Sequence, residues 1–287
     1  MRVAALTCTG GRPHALGICR KYIERQTRKP DKWYIVDDCE PETAVFGDVV
    51  IKPRPFWTPQ SKHTLPRNMI SGLEAIFYSP DPVDVVTIFE DDDWYHPCYL
   101  ELMTNALNRV AMYGAKVIGE MNTVYYNVLT RTWKQNFNPT HASLCSVSMT
   151  VDAIPKVIDI IRRNDTPYID LQIFREMPSS ELRLVDTKLC IGIKGIPDNR
   201  VGVGGSHKGI HPSFAPDPGM RKLREFVGDD YVLYEGFFDP GEAEKLMLTI
   251  KNRDRRAQQK KLKRHSPVKH KPIKPILLNG PLERKKR

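Results

Sequence analysis

The sequence predicts an α/β protein, with a mostly parallel central sheet flanked by helices and a basic C-terminal tail. Three observations carry this expectation. Strand, tight turn, amphipathic helix and strand follow one another within residues 1–36, the order of a parallel βαβ unit. Val83 to Phe89 is an apolar, β-branched run that reads as a buried strand, and it ends on four consecutive carboxylates, Glu90 to Asp93. Charge is also divided along the chain. Residues 251–287 hold 15 Lys/Arg against 2 acids, or +13, whereas the remainder holds 29 basic and 32 acidic side chains, or −3.

The 287 residues are 40% hydrophobic and 27% charged, which suits one large globular domain with an extension. We expect a domain over 1–250, divided into halves 1–97 and 98–250, and a flexible tail over 251–287 with at most a helical start. No run approaches the roughly 18 apolar residues of a membrane span. Met1 to Leu6 enters a strand directly and lacks the apolar core of a signal peptide. Six cysteines are scattered without a Cys-x-x-Cys pair, so they are expected to be reduced cytosolic thiols, neither a disulfide frame nor a zinc site.

Arg2 to Thr7 reads as the first strand, followed by the polar turn Cys8 to Pro13. Ala15, Cys19, Tyr22 and Ile23 recur at i, i+4, i+7, i+8 and predict a helix with one apolar face. Lys32 to Val36 is the second strand, ending on Asp37-Asp38. Residues 52–66 form a Pro-rich loop with Phe56, Trp57 and His63, after which Arg67-Asn68 opens a helix bearing Met69, Leu73, Ile76 and Phe77. Pro97 opens another helix, with Leu100, Met103, Leu107, Val110 and Ala111. Lys116 to Met121 and Thr123 to Leu129 are strand-like. Cys145 to Val151 is rich in small residues, and Asp152 is expected to cap a helix holding Val157, Ile158 and Ile161. A helix begins near Asp170, a strand covers Leu189 to Ile193, and a glycine-rich stretch follows to Gly209. Met220, Leu223 and Phe226 mark a last amphipathic helix.

Carboxylates at the carboxyl end of a central strand sit where open α/β sheets bind ligands. Four in a row repel one another. A bound Mg²⁺ or Mn²⁺ relieves that repulsion and prefers such hard oxygen ligands. The alternative is a solvated acidic turn at the head of the next helix.

Four stretches in order resemble a family 2-type glycosyltransferase of the GT-A fold. They are Val3 to Arg12 with Gln26-Thr27 and Val36-Asp37-Asp38, then Pro66-Arg67-Asn68, then Glu90 to Asp93 with His96-Pro97, then Tyr168 to Phe174. The resemblance covers roughly residues 1–210 and implies a Rossmann-like nucleotide-binding first half. It implies that Asp92 binds Mn²⁺ or Mg²⁺ as the principal Asp of an Asp-x-Asp motif, with Glu90 in its first position and Asp91 reaching the ribose. Asp38 would accept the N–H of a uracil in a UDP-sugar donor, Thr7 would line the base pocket, and Arg12 and Arg67 would face the phosphates. For Arg12 and Arg67 an ordinary salt bridge remains the alternative. His207, flanked by glycines, is the candidate third metal ligand, and Lys208 would touch the diphosphate. His63, His96, His141 and His211 are given no role. Asp170 is similar in place to the family's catalytic acidic motif, although Ile169 stands where the motif has Glu. As general base it would give inversion, with capping of its own helix as the alternative and Asp165 and Asp186 as fallbacks.

The acceptor is left to the tail. Its basic density supplies sequence-independent phosphate affinity, strongest at Lys260 to Arg264. For a cytoplasmic sugar transferase this suggests a hydroxymethylated base in DNA, a modification similar to that of bacteriophage enzymes, with the base flipped toward Asp170. One rival is a lipid-linked or surface glycan, with the tail on an anionic membrane. The other is a nucleic-acid-binding protein without catalysis.

Overall fold

The structure is a computed structural model, and it describes residues 1–58, 60, 61, 63–198, 214–261, 275 and 276. Strand β1 (Val3–Thr9) leads through a turn at Gly11, whose φ of 65° suits glycine, into helix α1 (Pro13–Glu24). Pro13 opens that helix, and the predicted face of Ala15, Cys19, Tyr22 and Ile23 is buried. Strand β2 (Lys32–Asp37) pairs parallel with β1, as the βαβ order predicts, and β3 (Val49–Ile51) pairs parallel with β2.

Helix α2 (Leu65–Phe77) buries Met69, Leu73 and Ile76. Phe77, expected on the same face, is 39% exposed at the last turn. The helix lies close on the sheet at Gly72, where a Cβ would stand 2.5 Å from Leu6 Cδ1 and 2.9 Å from Val36 Cγ2. Strand β4 (Val85–Ile88) pairs parallel with β1 on its other side. Then come β5 (Trp94–Tyr95), α3 (Tyr99–Ala111), β6 (Val117–Glu120), β7 (Asn122–Asn127) and β8 (Thr132–Phe137).

Strand β9 (Ser148–Thr150) is built from the small-residue stretch and inserts antiparallel between β4 and β6. Asp152 is not the cap of α4 (Ile154–Asn164). Ala153 holds that position, and Asp152 pairs instead with Lys116 at 3.0 Å. Helix α5 (Ile169–Glu176), β10 (Leu182–Val185) and β11 (Cys190–Lys194) follow, then β12 (Ala215–Pro216), α6 (Arg221–Val227) and α7 (Pro240–Lys261). The last helix runs across the boundary expected at residue 250.

Two sheets result. The larger has the order Pro275–Ile276, β10, β6, β9, β4, β1, β2, β3, and among its described pairs only those of β9 are antiparallel. The smaller has the order β12, β8, β7, β11, β5. Strands β3, β5, β8, β9, β10 and β12 were not expected from the sequence. Strand β5 is two residues long, and β8 (TWKQNF) is polar apart from Trp133 and Phe137, so it is defined by its pairing with β7. The fold is thus the predicted α/β class, with a parallel-rich sheet between helices.

Candidate functional site

Parallel pairing brings the carboxyl ends of β1, β2 and β4 to one edge. Leu6 pairs with Ile88, and Thr9 pairs with Asp37. Beyond those ends the chain turns through Glu90 to Asp93, and one cavity is lined by this turn, Arg12, Asn68, Asp170 and Lys194.

Three of the turn's carboxylates, Asp91, Asp92 and Asp93, are buried and paired with neighbouring side chains. Asp91, 1% exposed, accepts from Thr9 Oγ1 at 2.7 Å and from Arg12 Nη1 at 2.7 Å. Arg12 Nη2 lies 2.8 Å from Asp92 Oδ2. Asp93 Oδ1 accepts from Ile193 N at 2.8 Å and Lys194 Nζ at 3.1 Å, and Lys194 stands 3.9 Å from Asp92. Two basic side chains of the chain itself therefore sit against this charge, a relief that the sequence reading assigned to a metal alone. The solvated acidic turn is also excluded for Asp91, Asp92 and Asp93, each under 5% exposed.

Burial dominates the electrostatics. It pushes Glu90 well above the usual carboxylate range, with the Asp93 charge adding to the effect. It carries Asp91 up to about 7 against the pull of Arg12, and raises Asp93 against the pull of Lys194. For Arg12 and Lys194 burial acts downward, but the neighbouring carboxylates outweigh it and hold both cations charged.

Asp170 faces the same cavity from the first turn of α5. Burial raises it above the ordinary Asp range, opposed by backbone N–H groups of Leu171, Asp170 and Leu144. The capping alternative is thus part of its environment, although its helix has Tyr168 as the cap residue. The fallbacks stand elsewhere. Asp165 is 84% exposed beside His63, and Asp186 bonds Asn122.

The cavity unites Arg12, Glu90, Asp91, Asp92 and Asp170 of the expected residues. Asp38 and Arg67 lie beside it as a pair: Asp38, fully buried, accepts from Asn68 Nδ2 at 2.7 Å and Arg67 Nη2 at 3.3 Å. Arg67 also donates to the Pro55 carbonyl at 2.6 Å, so a salt bridge describes its present contacts. Thr7 stands apart from the cavity. It is 0% exposed and accepts from Trp33 Nε1 at 3.0 Å, because strand alternation turns Thr7 into the core and Cys8 toward the cavity. His207 and Lys208 lie outside the described residues. Asp198, the last described residue before them, accepts from the backbone N–H groups of His14 and Ala15 at 3.0 Å each.

Lys194 was not singled out from the sequence. Its signal was a lone cation closing an apolar strand, and nothing local to it indicates the acidic turn a hundred residues earlier. Tyr125 and Tyr168, which also line the cavity, were likewise not named as site residues.

No family model matches the chain, and no curated protein matches it. Among solved structures, the crystal structure of S. aureus TarS 1-349 matches with a TM-score of 0.45 and 12% identity, over 67% of this chain and 60% of that one. The same protein in complex with UDP matches with the same values. A longer S. aureus TarS structure matches with a TM-score of 0.44 and 9% identity, over 68% of this chain and 37% of that one. The chain therefore spans about 60% of the first of these structures.

Proposed function

We propose that the chain is an inverting glycosyltransferase that takes a sugar from a nucleotide-sugar, in the first place a UDP-sugar. The observation that supports this is the shared cavity: a carboxylate turn with two cations at one side and a half-buried, ionisable carboxylate, Asp170, at another. The donor's leaving diphosphate carries developing charge that needs cations close by. Arg12 and Lys194 are placed to supply it, and Lys208 is a further candidate.

Glu90 and Asp92 offer hard oxygens to the cavity, which fits Mg²⁺ or Mn²⁺, and His207 is the proposed third ligand. Such an ion acts as a Lewis acid toward a departing phosphate. Asp92 would then share its carboxylate between the ion and Arg12. Asp91 remains the candidate for the ribose and Asp38 for the base, with Arg67 at the phosphates.

Asp170 takes the proton of the acceptor hydroxyl as its oxygen bonds to the anomeric carbon and the bond from that carbon to the phosphate oxygen breaks. Attack opposite the leaving diphosphate inverts the configuration. A raised pKa strengthens Asp170 as a base, provided that it is ionised at working pH.

For the acceptor we keep a hydroxymethylated base in DNA, supported by the +13 charge of residues 251–287. Half-buried Phe56 and Trp57, next to Asp38, offer stacking surface near the cavity. The test is sugar transfer by the full chain to hydroxymethylated duplex DNA, with unmodified DNA and anionic vesicles carrying lipid-linked acceptor in parallel. Transfer to the vesicles alone selects the glycan reading. DNA binding without any donor turnover selects the non-enzymatic one.

A further inference from the structure

Two cysteines far apart in sequence meet Asp93 at the cavity floor. A carboxylate oxygen of Asp93 and the sulfurs of Cys145 and Cys190 all lie within 4.8 Å of one another. The three residues are 1, 2 and 3% exposed. Each is anchored through atoms other than those it presents to its neighbours. Asp93 Oδ1 is taken by the Ile193 N–H and the Lys194 ammonium, and the Cys145 thiol hydrogen-bonds the same carboxylate. The Cys145 carbonyl accepts from Tyr99 Oη at 3.1 Å, and the Cys190 N–H donates to Glu120 Oε2 at 3.0 Å. Asp93 and Cys145 also line the cavity, which gives the trio an entry path.

We infer that Asp93, Cys145 and Cys190 form a binding site for a borderline-soft divalent cation of the Zn²⁺ class, distinct from the hard-ion position proposed at Glu90 and Asp92. Two sulfurs and one carboxylate suit Zn²⁺ far better than Mg²⁺ or Mn²⁺. The charges close: two thiolates and a carboxylate around a dication leave −1, and Lys194 stands on that same carboxylate. Hydrogen bonds to the remaining carboxylate oxygen are the outer support that ligating groups require. Binding breaks two S–H bonds, forms two metal–sulfur bonds and releases two protons to solvent. Affinity should therefore fall as pH falls. The site would tie together the acidic turn, the segment before β9 and the start of β11, the first two of which line the cavity. It does not depend on the chain's being a glycosyltransferase.

The test is a Co²⁺ titration of the full chain, reduced with a phosphine that carries no thiol and followed by thiolate-to-cobalt charge-transfer absorption. The expected result is one equivalent of tetrahedral Co²⁺, displaced by Zn²⁺, with two protons released per ion in weak buffer. Cys145→Ser and Cys190→Ser should abolish the band, Asp93→Asn should weaken binding by at least about 10-fold, and Cys98→Ser should leave it unchanged. Absence of the band in the unmutated chain overturns the inference without recourse to any variant. So does a band that survives the double Cys145→Ser/Cys190→Ser change, or one that depends on Asp92 and not on the cysteines.

Discussion

Lys194 Nζ lies 3.1 Å from Asp93 Oδ1, and both side chains are buried, so the acidic turn carries a counter-ion supplied by a strand a hundred residues later. Removing one partner of a buried ion pair leaves an uncompensated charge, at a cost of roughly 3–5 kcal/mol. Lys194→Met should therefore destabilise the chain by an amount in that range. Adding Asp93→Asn should restore part of the loss. Urea unfolding of the two single variants and the double variant measures this coupling, and strictly additive losses would contradict it.

Arg12 presents a different balance, because it meets two carboxylates and opens toward the cavity. Arg12→Lys keeps the charge but loses the two-pronged geometry. We expect nucleotide-sugar affinity to fall roughly 10-fold or more, the effect of losing about 1.4 kcal/mol of charge-assisted bonding. Calorimetric titration with UDP checks this. Unchanged affinity would confine Arg12 to a structural pairing.

In the proposed mechanism Asp170 ties the rate to pH. Burial raises its pKa, and a general base works only when ionised, so transfer should fall as pH drops through that raised value. The acidic limb of the kcat/KM profile is expected above the ordinary Asp value of about 3.9. Asp170→Asn should cut transfer by roughly 10²–10⁴-fold, with donor affinity little changed. A limb at or below the ordinary value, or a parallel loss of donor affinity, would argue for a capping residue.

Much of this frame was legible in the sequence, and the residues that were not share a cause. The face of α1, the β1–β2 pairing, β4 and the place of Asp170 each followed from local periodicity or from a motif. Thr7 was misjudged because β1 is buried on both faces, so apolar alternation does not tell which side chain faces the cavity. Lys194, and the meeting of Cys145 with Cys190, depend on how β11 and the segment before β9 are brought together, which no local spacing records. Strand β5 is shorter than any periodicity can register.

Glu120 offers a stability test away from the cavity. It is 1% exposed and accepts from Thr187 Oγ1 at 2.5 Å, Leu189 N at 2.7 Å and Cys190 N at 3.0 Å. Burial still carries it up to about 7. A raised pKa in the folded state means that its contribution to stability is full below the unfolded value, about 4.3, and is lost as pH rises through about 7. The Thr187 hydroxyl bonds the charged form best. Thr187→Val should therefore cost about 2 kcal/mol at pH 8 but only about 1 kcal/mol at pH 5. Denaturant midpoints at the two pH values decide the point, and an equal loss at both would contradict this account.

The central claim, donor turnover in the Glu90–Asp170 cavity, is tested most directly by UDP release. The full chain is incubated with a set of UDP-sugars and Mn²⁺, beside Asp170→Asn and Asp92→Asn. The account predicts sugar-specific UDP release by the unmutated chain. Asp170→Asn should bind the donor but release little UDP, and Asp92→Asn should lose activity together with its dependence on the ion. If no UDP-sugar is bound or turned over, or if both variants release UDP as fast as the unmutated chain, the cavity is not a glycosyltransferase site.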